Sequence, residues 1–267
     1  MSLLSSRSLH LQLDNQCVHG QLYSGWFTKK SVVRAKTTIA PLGTEGGVLD
    51  SSMDTHRELR QAINAVVGEL IHLEQKNGTA TLVSLSNSYS HFDVVSGDYR
   101  GASDRNLDAI ATACAEEMLG DSASRQVIRW QLQPDMKHLL ISSIDRHLLD
   151  SISEAASSTR VSIQSIQPEF CGAWNRASKD VESGNSIFAM FRADHFLVAF
   201  SQQGNITALT SGTPDFGADP DASVDRLIAS LGFAPGAVSS FLVVKHEDND
   251  LSFSSRWQVV SPVGELA

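Results

Sequence analysis

Apolar and polar residues alternate at the start of the chain. Apolar side chains occupy every second position of residues 9–14, a period of two that predicts a β-strand. Asn15 and Gln16 predict a tight turn, and two further strand-like segments cover residues 18–22 and 32–39. The pattern therefore predicts a three-strand antiparallel meander at the beginning of the sequence.

The period then changes from two to 3.6. Thr55 and Glu58 have the spacing of a capping box, which predicts the start of a long helix that ends before Asn77-Gly78. A β-rich segment at residues 79–85 predicts a buried strand after this helix. The apolar face of the helix consists of Leu59, Ile63, Val66, Val67, Leu70 and Ile71.

Three further helices are predicted from local signals in the middle of the chain. Ser103 is placed to cap a helix that ends at Gly120, Asp145 to cap a second one, and Pro168 to begin a third. The strands predicted between them cover residues 127–132, 138–144 and 161–166.

The order of elements restarts near residue 187. A second meander is predicted over residues 187–211, followed by a helix capped by Asp219 with Pro220 at its first position, and by a strand at 241–244. Because a meander, a helix and a strand occur twice in the same order, the sequence predicts a duplicated two-lobed α/β fold. We place the first lobe at residues 1–167 and the second at 168–267.

Charge and composition restrict the functional classes. The 267 residues include 21 Lys and Arg against 30 Asp and Glu, a formal net charge of −9, which argues against nucleic acid as a partner. The apolar runs are too short for direct membrane insertion, and the N-terminus lacks the pattern of a signal peptide. Three widely spaced cysteines, Cys17, Cys114 and Cys171, suit a reducing compartment, so we expect a cytoplasmic protein.

Three stretches of the chain resemble a known family. They are residues 82–87, 141–150 and 163–175, the last with Gln167-Pro168-Glu169. Together with the two meanders they resemble the actin-like cytoplasmic proteins of type IV pilus and type II secretion assembly platforms (PilM-like and GspL-cytoplasmic-domain-like). The resemblance implies a duplicated, two-lobed actin-like (ribonuclease H-like) fold, with mixed sheets that open in three-strand meanders.

The same resemblance directs attention to the two hairpin turns. Nucleotide-binding members of the superfamily hold phosphate with an Asp-x-Gly turn in each lobe, because glycine lets backbone amides approach the phosphate. The first turn here keeps Asp14 but has Gln16 at the glycine position, and the second keeps Asp194 but has Phe196. Both turns are therefore interpreted as degenerate, and no nucleotide cofactor is expected.

Other catalytic or metal-binding patterns are not recognised. The loop Gly43–Gly47 lacks the Lys-Ser/Thr of a phosphate cradle, and no Gly-x-Ser-x-Gly elbow occurs. The nine histidines show no tight ligand spacing, and no cysteine is judged near enough to complete a zinc set, so no metal is predicted. The acidic residues Asp215, Asp219 and Asp221 are interpreted as a solvated loop in which Asp219 caps a helix.

The resemblance implies a non-catalytic scaffold that binds the cytoplasmic tail of an inner-membrane platform protein, located in the cytoplasm and attached to the membrane only through this partner. The candidate partner surface consists of Trp26 and Phe27 with the basic residues Lys29, Lys30 and Arg34. An actin-like ATPase or small-molecule kinase with a divergent nucleotide site is the alternative. A small-molecule sensor and a homo-oligomer remain open.

Overall fold

The structure is a computed structural model of the 267-residue chain. It describes residues 7–14, 17–24, 30–38, 44–45, 48–49, 53–72, 80–159, 161–178, 184–192, 195–213, 219–234, 238–245 and 252–260.

The described chain forms two compact units that interleave in sequence. The first contains the described residues up to Ser90 together with Ile144–Glu169, and the second contains His91–Ser143 and the described residues from Phe170 onward. Continuous lobes at 1–167 and 168–267 stay a prediction, and residues 91–143 pack with the second unit.

The helices and strands are numbered in chain order. The helices are α1 (Met53–His72), α2 (Asp104–Leu119), α3 (Arg146–Thr159), α4 (Glu169–Ala177) and α5 (Pro220–Ser230). The strands before α2 are β1 (Arg7–Leu13), β2 (Cys17–Ser24), β3 (Lys30–Thr38), β4 (Thr44–Glu45), β5 (Val48–Leu49), β6 (Ala80–Leu85) and β7 (Ser90–Ser96). Those after it are β8 (Gln126–Leu132), β9 (His138–Asp145), β10 (Ser162–Pro168), β11 (Asn185–Phe191), β12 (Phe196–Gln202), β13 (Asn205–Gly212), β14 (Ser240–Lys245) and β15 (Gln258–Val260).

The main sheets of the two units have the same topology. The first has the order β10-β6-β1-β2-β3 and the second β15-β14-β11-β12-β13. In each sheet the three meander strands are antiparallel to their neighbours. The other two strands, β6 and β10 in the first sheet and β14 and β15 in the second, run parallel to the first meander strand and to each other. Both predicted meanders are confirmed, and so is the fold class, since the same five-strand order occurs twice.

The core of the first unit follows from two periodicities. Leu9, Leu11 and Leu13 of β1 point to one face of the sheet and are buried against the apolar face of α1. Gly20 of β2 lies under this helix, and a β-carbon there would come within 2.5 Å of Leu70 Cδ1 and of Val66 Cγ1. The close approach of α1 to the sheet therefore requires glycine at position 20.

The main sheet of the second unit is buried on both faces. Ile187 and Ala189 of β11 belong to one apolar cluster, whereas Phe188 and Met190 belong to another. A sheet covered on both sides needs apolar residues at consecutive positions, which explains the uninterrupted run Ile-Phe-Ala-Met-Phe in β11.

A third sheet has the order β7-β9-β8, and most of its residues belong to the second unit. Strands β8 and β9 confirm the prediction, but β7 is absent from it. In the segment Ser90–Ser96 a serine takes a buried position and Val94 and Val95 are consecutive, which obscures its alternation. Ser90 and Phe92 are the buried positions.

Most predicted helix starts are confirmed. Ser103 and Asp219 accept hydrogen bonds from the backbone of Asn106 and Ala222, and Asp145 Oδ1 accepts one from His147 N at 2.7 Å. The start of α1 at Thr55 is wrong, because the helix begins two residues earlier, at Met53.

Candidate functional site

The candidate site lies at the end of the first hairpin. The ladder of β1 and β2 ends with the pair Leu13 and Val18, and beyond it Asp14 N donates a hydrogen bond to Cys17 O at 3.0 Å. The Asp14 side chain closes the turn from the other side, since Cys17 N donates to its Oδ1 at 2.7 Å. Asp14 therefore acts first as a turn aspartate.

Asp14, Cys17 and His19 form a cluster of ligand-type side chains. Cys17 Sγ lies 3.2 Å from each carboxylate oxygen of Asp14 and 2.8 Å from His19 Nε2. His19 Nε2 lies 3.7 Å from Asp14 Oδ2, and the three ligand atoms are all within 4.8 Å of one another. Cys17 is 6% exposed, whereas the His19 side chain is 31% exposed, so the cluster is buried at sulfur and open at imidazole.

Sequence reasoning missed this cluster. The judgement that no cysteine lies near enough in sequence to complete a zinc set overlooked Cys17 and His19, which are two residues apart on β2 and so share one face. The hairpin turn then brings Asp14 opposite Cys17. The available signal was the spacing Asp-x-x-Cys-x-His across a predicted turn.

The segment after β6 forms hydrogen bonds with the backbone of this turn. Ser86 N donates to Leu13 O at 2.8 Å, and Tyr89 Oη donates to Asp14 O at 2.7 Å. Ser86 and Tyr89 are both buried, and a short 3-10 turn over Asn87–Tyr89 positions the tyrosine. The backbone of Asp14 is therefore held by contacts outside its own hairpin.

The second hairpin has a different character. Arg192 N donates to His195 O at 2.8 Å, which closes the turn, and Phe196 then begins β12. Phe196 is 8% exposed and belongs to an apolar core cluster with Phe191 and Val198. The residue at the glycine position of this hairpin is thus part of the hydrophobic core.

The degenerate phosphate turns stay a prediction, because Gln16 and Asp194 lie outside the described residues. Asp14 and Phe196 are described, and the structure gives each a role that involves no phosphate. Asp14 is bonded to Cys17, and Phe196 packs in the core.

The predicted partner surface is described only in part. Trp26, Phe27 and Lys29 lie outside the described residues, and of Lys30 only its place at the start of β3 is described. Arg34 is exposed on β3, and Lys36 and Thr38 are exposed at the next alternate positions. Strand β3 is the edge of its sheet in the described part of the chain.

Two further tryptophans and the other two cysteines lie outside the candidate site. Trp174 and Trp257 are buried in core clusters of the second unit. Burial raises the pKa of the Cys171 thiol to about 11, and burial is also the main cause that raises the pKa of Cys114. Both stay protonated at neutral pH and are unsuited to nucleophilic chemistry.

The interpretation of the acidic segment as a solvated loop is wrong for Asp221. Its carboxylate accepts hydrogen bonds from Trp257 Nε1, from Ser254 N at 2.9 Å and from Arg256 Nε at 3.2 Å. Burial acts to raise the pKa of Asp221, but these hydrogen bonds outweigh it and hold the pKa below its usual value.

Among the described helices, none combines the length and the apolar character that crossing a bilayer requires.

Comparison with known proteins places the fold. No family profile matches the sequence, and no curated protein matches it. Among solved structures, the cytoplasmic domain of EpsL, an inner-membrane component of the type II secretion system of Vibrio cholerae, matches 97% of this chain and 90% of its own at 13% identity with a TM-score of 0.59. The PilM–PilN type IV pilus biogenesis complex matches 89% of this chain and 80% of its own at 12% identity with a TM-score of 0.58.

A third structure is named directly for the fold. It is a Bacteroides thetaiotaomicron protein of unknown function with an actin-like ATPase fold, matched over 90% of this chain and 82% of its own at 8% identity with a TM-score of 0.54. At these identities the likeness establishes the fold alone. The chain has the actin-like fold that its sequence predicts, and the structures similar to it include EpsL and PilM.

Proposed function

We propose that this protein is a non-catalytic scaffold of a pilus or secretion assembly platform, which binds the cytoplasmic segment of an inner-membrane protein. The fold supports the proposal, since two of the similar structures belong to a type II secretion system and to a type IV pilus biogenesis complex. The proposed location is the cytoplasmic face of the inner membrane, reached through the partner.

The burial of Phe196 is the observation that supports the proposal of a non-catalytic protein. A phosphate turn needs a small residue there so that the backbone can approach the ligand. Phe196 is instead buried in an apolar core cluster with Phe191 and Val198. A nucleotide in the second hairpin would require the loss of this packing.

The partner surface proposed here is the outer edge of β3. An exposed edge strand binds an extended peptide by adding it as a further strand, with side-chain pockets and charges setting specificity. Arg34 and Lys36 are exposed on one face of this edge, which favours an acidic tail. Trp26 and Phe27, just before β3 in the chain, are the proposed apolar anchors.

Two measurements test the proposed function. Calorimetry with Mg²⁺ and ATP is expected to give no binding at millimolar nucleotide, and co-purification with cytoplasmic segments of the host's platform membrane proteins is expected to recover one of them. A micromolar Kd for ATP that Asp14→Ala abolishes would instead support an actin-like ATPase or kinase. Failure to bind any of these segments would contradict the scaffold.

A further inference from the structure

We propose that Asp14, Cys17 and His19 form a binding site for a divalent first-row transition-metal ion such as Zn²⁺, held between Cys17 Sγ, His19 Nε2 and Asp14 Oδ2. Thiolate, imidazole and carboxylate are the three side-chain ligands of zinc in proteins. Magnesium and calcium prefer oxygen ligands alone, so the sulfur and nitrogen atoms favour the softer metals.

The distances between the ligand atoms are close to those of a tetrahedral site. Metal–ligand bonds of about 2.3 Å to sulfur and about 2.0 Å to nitrogen and oxygen, at tetrahedral angles, separate the ligand atoms by roughly 3.3–3.6 Å. The observed separations are 2.8 Å for Sγ–Nε2, 3.2 Å for Sγ–Oδ2 and 3.7 Å for Nε2–Oδ2. Small side-chain rotations that open both sulfur pairs and close the Nε2–Oδ2 pair would bring all three separations into this range.

The contacts of Cys17 Sγ also favour a cation. A thiol has one weakly donating proton, yet this sulfur lies within 3.2 Å of both Asp14 oxygens and 2.8 Å from His19 Nε2. The Cys17 amide also donates to Oδ1, and His19 Nε2 donates or accepts according to its tautomer. A metal ion with bonds to the thiolate, the imidazole and Oδ2 interacts with all three side chains at once.

Neighbouring hydrogen bonds orient Asp14, as hydrogen bonds around metal ligands do. Cys17 N donates to Oδ1 at 2.7 Å, which fixes the carboxylate and directs Oδ2 toward the sulfur and the imidazole. Tyr89 Oη holds the carbonyl of the same residue. Hydrogen bonds of this kind orient ligands in metal sites and contribute to their affinity. Three protein ligands leave the fourth tetrahedral position for water or another ligand.

The test uses the full chain, freed of metal by a chelator and titrated with Co²⁺ and Zn²⁺ without nucleotide. We expect one ion per chain, a sulfur-to-cobalt charge-transfer band, and displacement of Co²⁺ by Zn²⁺. Loss of a residue that only hydrogen-bonds to a metal ligand costs roughly 10–100-fold in affinity. Cys17 and His19 would bind the metal directly, so Cys17→Ser and His19→Gln are each expected to weaken Zn²⁺ binding about 100-fold or more. Excess Mg²⁺ is expected not to displace Co²⁺.

Two matched variants serve as controls. Cys114→Ser removes a cysteine of the second unit, and His138→Gln removes a histidine whose Nδ1 lies 2.6 Å from Asp135 Oδ2 without a neighbouring thiol in the described contacts. Both are expected to bind Zn²⁺ like the wild type. His19 is partly exposed, so His19→Gln is expected to fold, and a circular dichroism spectrum checks this. Absence of the charge-transfer band, unchanged affinity in both ligand variants, or loss of the band in Cys114→Ser would each overturn the site.

Discussion

Phe196 packs over Gly212, so that a β-carbon on Gly212 would lie 3.3 Å from Cε1 of the phenylalanine ring. The two residues are opposite each other in the β12–β13 pairing. The ring thus occupies the space above a glycine on the neighbouring strand, and both positions are adapted to one packing arrangement.

Phe196→Gly places a glycine in the second hairpin, where the resemblance expects one, and is expected to destabilise the protein without creating nucleotide binding. Removing a buried phenylalanine side chain costs about 3–5 kcal/mol of unfolding free energy. Chemical denaturation measures the loss, and calorimetry with Mg²⁺ and ATP measures binding. Phe196→Leu, which keeps most of the apolar volume, is expected to lose clearly less. Micromolar ATP binding by a folded Phe196→Gly variant would show that the phenylalanine alone blocks the site.

Gly20→Ala is expected to destabilise the first unit by about 1–3 kcal/mol through overpacking. The new β-carbon would lie 2.5 Å from both Leu70 Cδ1 and Val66 Cγ1, so these buried side chains, or α1 with them, would have to shift. Thermal and urea unfolding measure the change.

The matched control is Gly68→Ala, on α1, the helix that packs over Gly20. A β-carbon at Gly68 meets nothing within 4 Å, and alanine is the better helix former by about 1 kcal/mol. This variant is expected to be as stable as the wild type or more so. Equal destabilisation by the two substitutions would show that close packing at Gly20 is not the reason for its glycine.

The sequence predicted the elements whose pattern is local, and missed the contacts that depend on the fold. Both meanders show a strict period or an unbroken apolar run over several residues, and both are present. The Asp14 cluster needs the register of a hairpin before its members can be seen to meet. The bond between Asp221 and Trp257 joins residues 36 positions apart, a separation at which neither periodicity nor capping gives any signal.

Asp221→Asn is expected to reduce stability by about 1–3 kcal/mol at neutral pH, because charge-assisted hydrogen bonds to Ser254, Arg256 and Trp257 are weakened. The pKa of Asp221 is lowered in the folded state, so its contribution is complete above the unfolded pKa of about 3.9 and is lost as the pH falls through the folded pKa. The difference in Tm between wild type and variant should therefore shrink on acidification.

Asp98→Asn is the control for this substitution. Asp98 also has a lowered pKa from its hydrogen bonds to Arg100, but its side chain is 62% exposed, so solvent screens the pair. Its Tm is therefore expected to differ from that of the wild type far less than the Tm of Asp221→Asn does, at neutral and at acid pH. A difference in Tm for Asp221→Asn that stays constant from neutral to acid pH would contradict the role assigned to the Asp221 charge.

The last prediction concerns peptide binding at the edge of β3. Arg34 and Lys36 are exposed on one face of this strand, and the double variant Arg34→Glu/Lys36→Glu presents an acidic tail with like charge instead of opposite charge. We expect partner affinity to fall about 10-fold or more, and the loss to be smaller at high salt, because exposed charges are screened beyond roughly 10 Å at 0.1 M ionic strength. The measurement is anisotropy with a labelled peptide of the co-purified segment. Arg105→Glu, an exposed position on α2, is the control for charge reversal and should bind normally.

Trp26→Ala tests the apolar anchor, with an expected loss of about 2 kcal/mol of binding free energy, or roughly 30-fold in affinity, at unchanged Tm. Normal binding by stable forms of both the double variant and Trp26→Ala would exclude this edge as the partner surface.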